Sequence, residues 1–218
     1  MSEERFRIRP YEPGDLEALY EICLKTGDAG SDASHLYDDP KVLGHLYAAP
    51  YAVLEPELAF VLVDNVLTGN VPGGGRSVCG YILGTLDTDS FKQAFVNAWL
   101  PKIREQYPEP AGDPGAWTPT ERLAHSFHHP KVDVLEELKG YPSHLHIDLL
   151  PRAQGQGNGT RLMHTFLSRL KEMGSPAVHL GLGSTNTKAH AFYKGLGFAE
   201  LLRQDHAIYM GMRLDERA

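Results

Sequence analysis

A glycine-rich loop between a strand and a helix constrains this chain more than any other feature of its 218 residues. The run His144-Leu145-His146-Ile147-Asp148-Leu149-Leu150 reads as a strand, and Pro151, with no N–H to give to a ladder, stops it. Gln154-Gly155-Gln156-Gly157-Asn158-Gly159-Thr160 follows. Leu162, Met163, Phe166, Leu167 and Leu170 then mark one face of a helix that ends at Gly174. A helix start leaves several backbone N–H groups without an internal partner, with the positive end of the helix dipole pointing outward. Glycines let the backbone there adopt positive φ and approach a ligand closely. Such a loop either cradles a phosphate or pyrophosphate or is simply a tight strand–helix turn.

Spacing separates the phosphate motifs. The dinucleotide fingerprint GxGxxG fails because its third glycine position is Thr160, and no acidic residue ends the next strand, Val178-His179-Leu180-Gly181-Leu182. A P-loop fails because no Gly-Lys-Ser/Thr occurs. Gln-x-x-Gly-x-Gly, here Gln154, Gly157 and Gly159, is what remains.

The rest of the chain places this loop late in an α/β (α+β) pattern. Phe6-Arg7-Ile8-Arg9 alternates like a strand, and Pro13-Gly14-Asp15 opens an amphipathic helix through Leu16, Leu19, Tyr20 and Leu24. A short helix is expected between Pro40 and Tyr47, then a strand at Ala59–Val63. A turn at Val71-Pro72-Gly73-Gly74-Gly75 should return Ser77–Thr85 antiparallel to that strand. Residues 87–142 break the pattern and read as an insertion between strands 3 and 4. A helix is expected around Phe91, Phe95, Ala98 and Trp99, with short helices near Glu121–Phe127 and Val134–Leu138. Downstream come a strand (Ala177–Leu182), a helix around Ala189–Lys194, and strands near Glu200–Arg203 and Ile208–Arg213. With 42% hydrophobic residues, the whole chain 1–218 can share one core as a single domain.

Charge and cysteine content narrow the function classes. A formal net charge of −7 argues against sequence-independent nucleic-acid binding and suits a cationic amine substrate. No stretch approaches the roughly 20 apolar residues of a membrane span, and the charged N-terminus has no apolar signal core, so a cytoplasmic protein is expected. Cys23 and Cys79 form no CxxC pair and are expected to be buried free thiols.

Twenty-seven residues beyond Gly159 the chain reads Asn186-Thr187-Lys188-Ala189-His190-Ala191-Phe192-Tyr193-Lys194-Gly195-Leu196-Gly197-Phe198. Together with Gln154, Gly157 and Gly159, in this order, the segment resembles the signature of the GCN5-related N-acetyltransferase (GNAT) superfamily. A narrower likeness lies in His144–Pro151, in Lys25-Thr26-Gly27-Asp28 and in Leu43-Gly44-His45-Leu46-Tyr47. These are similar to free-standing bacterial relatives of the acetyltransferase-like C-terminal domain of O-GlcNAcase. The resemblance implies a mixed, mainly antiparallel sheet of six to seven strands flanked by helices. It also implies direct transfer of an acetyl group from acetyl-CoA, as co-substrate, to an amine. The alternative is a catalytically weak acyl-CoA-binding or protein-interaction module, since the animal domain has lost the glycine loop. Fold analogy allows a homodimer through the C-terminal edge strands.

The same resemblance distributes roles. Gln154, Gly155, Gly157, Asn158, Gly159 and Thr160 would hold the CoA pyrophosphate. Backbone groups of Leu149 and Leu150 would bind the pantetheine arm, and an N–H there would stabilise the tetrahedral oxyanion. Tyr193 would protonate the departing thiolate, or else is a core tyrosine bonded to a carbonyl. Asn186 would contact the pantetheine or merely cap a helix. Asp148, on one strand face with His146 and His144, is the first candidate base, against a purely structural carboxylate; His179 and His206 are weaker alternatives. Independently of the resemblance, the insertion falls where a short hairpin connection would suffice, so it is expected to cover the acceptor side, with Trp99, His125 and Tyr141 lining it. His125, His128 and His129 have helical spacing for a metal, yet no HExxH or paired cysteines accompany them, so surface histidines are the plainer account and no metal is expected.

Overall fold

The computed structural model describes residues 5–67 and 77–215. Seven strands form one sheet: β1 (Phe6–Pro10), β2 (Ala59–Asp64), β3 (Val78–Thr85), β4 (Ser143–Leu149), β5 (Ala177–Gly183), β6 (Ala199–Arg203) and β7 (Ala207–Arg213). Their order is β1-β2-β3-β4-β5-β7-β6, every neighbouring pair antiparallel except β4 and β5. This is the mixed, mainly antiparallel sheet expected, with β6 at the C-terminal edge. The glycine turn expected at Val71–Gly75 lies outside the described residues, while the antiparallel return of β3 along β2 is present.

Helices cover both faces. On one lie α1 (Leu16–Thr26), α2 (Gly44–Tyr47) and α3 (Ala49–Leu54); on the other lies α7 (Asn158–Glu172), whose Leu162, Met163, Phe166 and Leu170 are all fully buried. Strand alternation decides what each face of β4 meets. Leu145, Ile147 and Leu149 share the α7 face with Gly84, Ile82 and Gly80 opposite them, whereas His144, His146 and Asp148 turn toward α1–α3. A helix at Ala49–Leu54, with Pro50 near its start, was not among the elements expected from the sequence. Pro50 occupies the first turn, where a missing N–H costs nothing.

The insertion builds α4 (Thr88–Ala94), a π-turn (Phe95–Trp99), α5 (Leu100–Gln106) and α6 (Pro119–His128), and its second expected short helix shrinks to a 3₁₀ turn at Glu136–Leu138. Asp87 caps α4 by accepting from the Ser90 N–H, and Thr118 with Glu121 forms a capping box on α6. Phe91, Phe95, Leu100, Ile103 and Phe127 join the hydrophobic cluster of the sheet, so the insertion is packed rather than draped. Trp99 Nε1 donates to the His45 carbonyl at 2.9 Å and Tyr107 OH to Asp39 at 2.8 Å, fastening it to the α2 region. Helix α8 (Thr187–Gly195) follows β5 and packs Phe192 near the start of α7. Cys23 and Cys79 are buried and free.

Candidate active site

β4 and β5 pair only at Ser143↔Val178 and His144↔His179, then diverge, opening a gap from Leu145 onward. Leu150 N–H donates to the Cys79 carbonyl at 2.8 Å, which makes Leu149 and Gly80 a pair without ladder bonds of their own. The N–H and C=O of Leu149 therefore point away from β3, into the gap. Gln154 Nε2 donates to that C=O at 2.8 Å, leaving the Leu149 N–H as the group directed at the opening. Leu150, expected to share this task, commits its N–H to Cys79 and its C=O to the Ala153 N–H.

The glycine loop sits at the end of this gap. A 3₁₀ turn at Pro151–Ala153 leads to Gly155 and Gly157, with φ of 73° and 75°, values that L side chains rarely adopt. Gly157 is the N-cap of α7, and the first helical bond runs from Arg161 N–H to its carbonyl at 3.0 Å. The N–H groups of Asn158, Gly159 and Thr160 consequently have no acceptor within the helix. Asn158 is 2% exposed and braces the loop from inside, its Nδ2 donating to the Ala153 carbonyl at 3.0 Å. Gly159 packs closely, since a Cβ there would stand 3.3 Å from the Phe192 ring, tighter than ordinary contact. Lys188 Nζ donates to Gln154 Oε1 at 3.1 Å, bringing a cation to the loop rim that sequence spacing did not single out.

Tyr193 lies between the rings of Phe192 and Phe198, 8% exposed, and its hydroxyl makes no hydrogen bond among the described residues. The ring packs in the core, as the structural alternative has it, but the carbonyl bond that belongs to that alternative is absent among the described residues. Burial, and then the charge of Asp148, push its ionisation upward, so the phenol keeps its proton at neutral pH. Asn186 does cap α8, accepting from the Ala189 N–H at 3.0 Å.

Asp148 accepts from the Tyr81 hydroxyl at 2.6 Å, and burial raises its pKa despite that bond. Beside it runs a chain whose proton directions follow from one end. Thr88 Oγ1 stands 2.7 Å from the Pro142 carbonyl, which can only accept, so the threonine proton is spent there. His144 Nδ1, 2.8 Å from the same Oγ1, must carry a hydrogen, leaving its Nε2 to accept from Tyr51 OH at 2.9 Å. Tyr51 in turn accepts from His146 Nε2 at 3.1 Å. Neutral His146 thus holds an unprotonated Nδ1, which has no partner among the described residues. Burial keeps both imidazoles neutral, lowering His146 to about 4 and His144 well below its usual range.

The remaining sequence candidates lie elsewhere. His179 Nδ1 donates to the Tyr141 carbonyl at 2.7 Å, a structural bond between β5 and the end of the insertion, and His206 is exposed on the β6–β7 turn. Trp99 is spent on His45, His125 stacks on His129, and Tyr141 lines a separate 670 Å³ surface groove with Asp87, Asp89 and Asp133. Tyr51, Tyr81 and Thr88 were missed by the sequence reading. Their partners are 93, 67 and 56 residues away, and no local spacing announces such contacts.

The family model of the acetyltransferase (GNAT) family matches residues 102–198. SsHAT, known from its crystal structure, is 44% identical over 98% of this chain and 100% of its own, with a TM-score of 0.87. The chain belongs to the GNAT acetyltransferase family. Protein O-GlcNAcase of Rattus norvegicus is 28% identical over 202 residues, 92% of this chain but 21% of that protein, so the chain spans about a fifth of its curated relatives. The fold is shared with yncA of Salmonella typhimurium, a putative acetyltransferase solved with its cofactor acetyl-CoA, at 16% identity, TM-score 0.56, and coverage of 99% of this chain and 97% of that one. No helix among the described residues is long and apolar enough to cross a membrane.

Proposed function

We propose that this chain is an acetyl-CoA-dependent N-acetyltransferase that passes the acetyl group directly to an amine. One observation carries the reading: the open β4–β5 gap ends at the α7 amides and is faced by a Tyr193 hydroxyl with no bond among the described residues and by the half-buried Asp148 carboxylate. The pyrophosphate would rest on the N–H groups of Asn158, Gly159 and Thr160, with Gly155 and Gly157 giving it room and Lys188 adding charge. Leu149 N–H is the backbone group suited to bind the pantetheine arm or stabilise the oxyanion of the tetrahedral intermediate.

In this reading the acceptor arrives as an ammonium and must lose a proton before attack. Burial raises Asp148 and lowers His146, both shifts favouring the carboxylate as the group that takes that proton. His146 Nδ1, with its lone pair fixed by Tyr51 and His144, accepts a hydrogen bond from the amine and aims it at the thioester. Collapse of the intermediate expels the CoA thiolate, to which Tyr193 gives its proton, and the phenolate regains one from the second N–H that the nitrogen gives up as it becomes an amide. The insertion packs over the face that carries Asp148 and His146 and so sets acceptor selectivity. A cytoplasmic location and one domain over 1–218 accord with this reading.

The likeness to part of O-GlcNAcase favours a second reading, a module that binds acyl-CoA without turning it over. Acetyl transfer to an amine panel, measured for the parent and for Tyr193→Phe, separates the two. Transfer that falls in the variant while acetyl-CoA still binds supports the enzyme. Undetectable transfer by both proteins, with binding intact, supports the module.

A further inference from the structure

We infer that the insertion carries a binding site for a zinc-class divalent cation, formed by Glu109, His125 and His129. His125 and His129 are four residues apart, on the last turn of α6 and its C-cap, so their rings stand one above the other with centroids 4.3 Å apart. Glu109 comes from the loop after α5. Its Oε1 lies 2.5 Å from His129 Nε2 and 3.9 Å from His125 Nδ1, and one ligand atom from each residue falls within 4.8 Å of the others. Tetrahedral zinc, with bonds of about 2.0–2.2 Å, asks for donors about 3.3 Å apart. Reaching that spacing takes a shift of the carboxylate, which trades its hydrogen bond to His129 for a shared cation, together with a closer approach of the two imidazole nitrogens.

A second observation points independently to a ligand. His125 Nδ1 is shut off from solvent and has no hydrogen-bond partner, alone among the buried side-chain nitrogens and oxygens of the described residues. An orphaned buried nitrogen costs about 1–3 kcal/mol, and a cation between it and Glu109 satisfies it. Trp117 packs its ring 4.8 Å from His125, and its Nε1 donates to the Ala111 carbonyl, so the imidazole is walled on that side. Glu109 and His129 are half exposed and leave an approach for the ion and for a water as fourth ligand. His128, grouped with these residues by sequence, does not take part: its Nε2 donates to the Tyr107 carbonyl at 2.9 Å.

Two nitrogens and a carboxylate oxygen suit zinc rather than calcium or magnesium, which want all-oxygen shells. Bound there, the ion clips the loop after α5 to the end of α6. The site stands on residues outside the proposed transfer chemistry. The test is calorimetric titration of tag-free protein with zinc chloride, beside His129→Gln, Glu109→Gln and, as a control, the exposed His164→Gln. One equivalent of zinc should bind, at least tenfold more weakly to the first two variants and unchanged to the control. Zinc should raise the melting temperature of the parent and the control only. Absence of zinc binding, or equal binding by all four proteins, overturns the site. Matching circular dichroism spectra without metal show that any loss is not unfolding.

Discussion

At the scale of single residues, burial acts in opposite directions on a carboxylate and an imidazole. Desolvation raises Asp148, so its folded state favours the neutral acid. Stability from such a group is present below the unfolded carboxylate range and is lost as pH rises through the folded pKa, so at neutral pH the ionised side chain is a cost. Asp148→Asn keeps an oxygen for the Tyr81 hydroxyl and removes that cost. The variant is expected to be no less stable than the parent at pH 7 in urea unfolding, while acetyl transfer falls about 100-fold or more. Parallel loss of stability and activity would make Asp148 structural. Tyr193→Phe, which deletes a hydroxyl with no bond among the described residues, should lower kcat with little change in stability or acetyl-CoA affinity.

At the scale of elements, α3 is held to β4 through one phenol. Tyr51 is buried, stacks on Phe91 at 4.3 Å and serves both His144 and His146. Tyr51→Phe preserves the stack but strands two imidazole nitrogens, so a loss of about 1–3 kcal/mol is expected from denaturant midpoints. KM for the acceptor should also rise, because His146 no longer has a fixed tautomer. What the sequence disclosed about these elements follows from range. The strands, the glycine loop and the expected helix around Phe91–Trp99 are written in alternation, helical spacing and turn residues that act within a few positions. Helix α3 is short, and Pro50 carries the same letter whether it starts a helix or breaks one. The Tyr51–His144 and Tyr81–Asp148 contacts join segments that meet only after the sheet has formed. The resemblance named Leu149 and Leu150 together, and only the β3–β4 register separates an N–H facing the gap from one already bonded.

At the scale of the whole molecule, burial holds four imidazoles neutral. His45 and His146 are lowered to about 4, and His144 and His179 are lowered as well, by desolvation first in every case. Groups depressed in the folded state contribute stability above their unfolded value of 6.5, which is lost as pH falls through the folded one. Stability should therefore drop between about pH 6.5 and 4, by up to roughly 3 kcal/mol per fully buried imidazole. Chemical denaturation at pH 7.5, 6 and 5 checks this, and a flat profile would contradict the assigned neutral states. His146→Gln should flatten the acid limb.

In the proposed function the α7 amides cradle the pyrophosphate of an acyl-CoA. Calorimetric titration with acetyl-CoA, run for the parent and for Gly157→Trp, tests it most directly. An indole at φ 75° both strains the loop and fills the open space above it. Saturable binding by the parent that is lost in a variant still folded by circular dichroism is the predicted result. Absence of binding by the parent, or equal binding by both, would mean that the loop is only a turn and that the acetyl donor is held elsewhere or not at all.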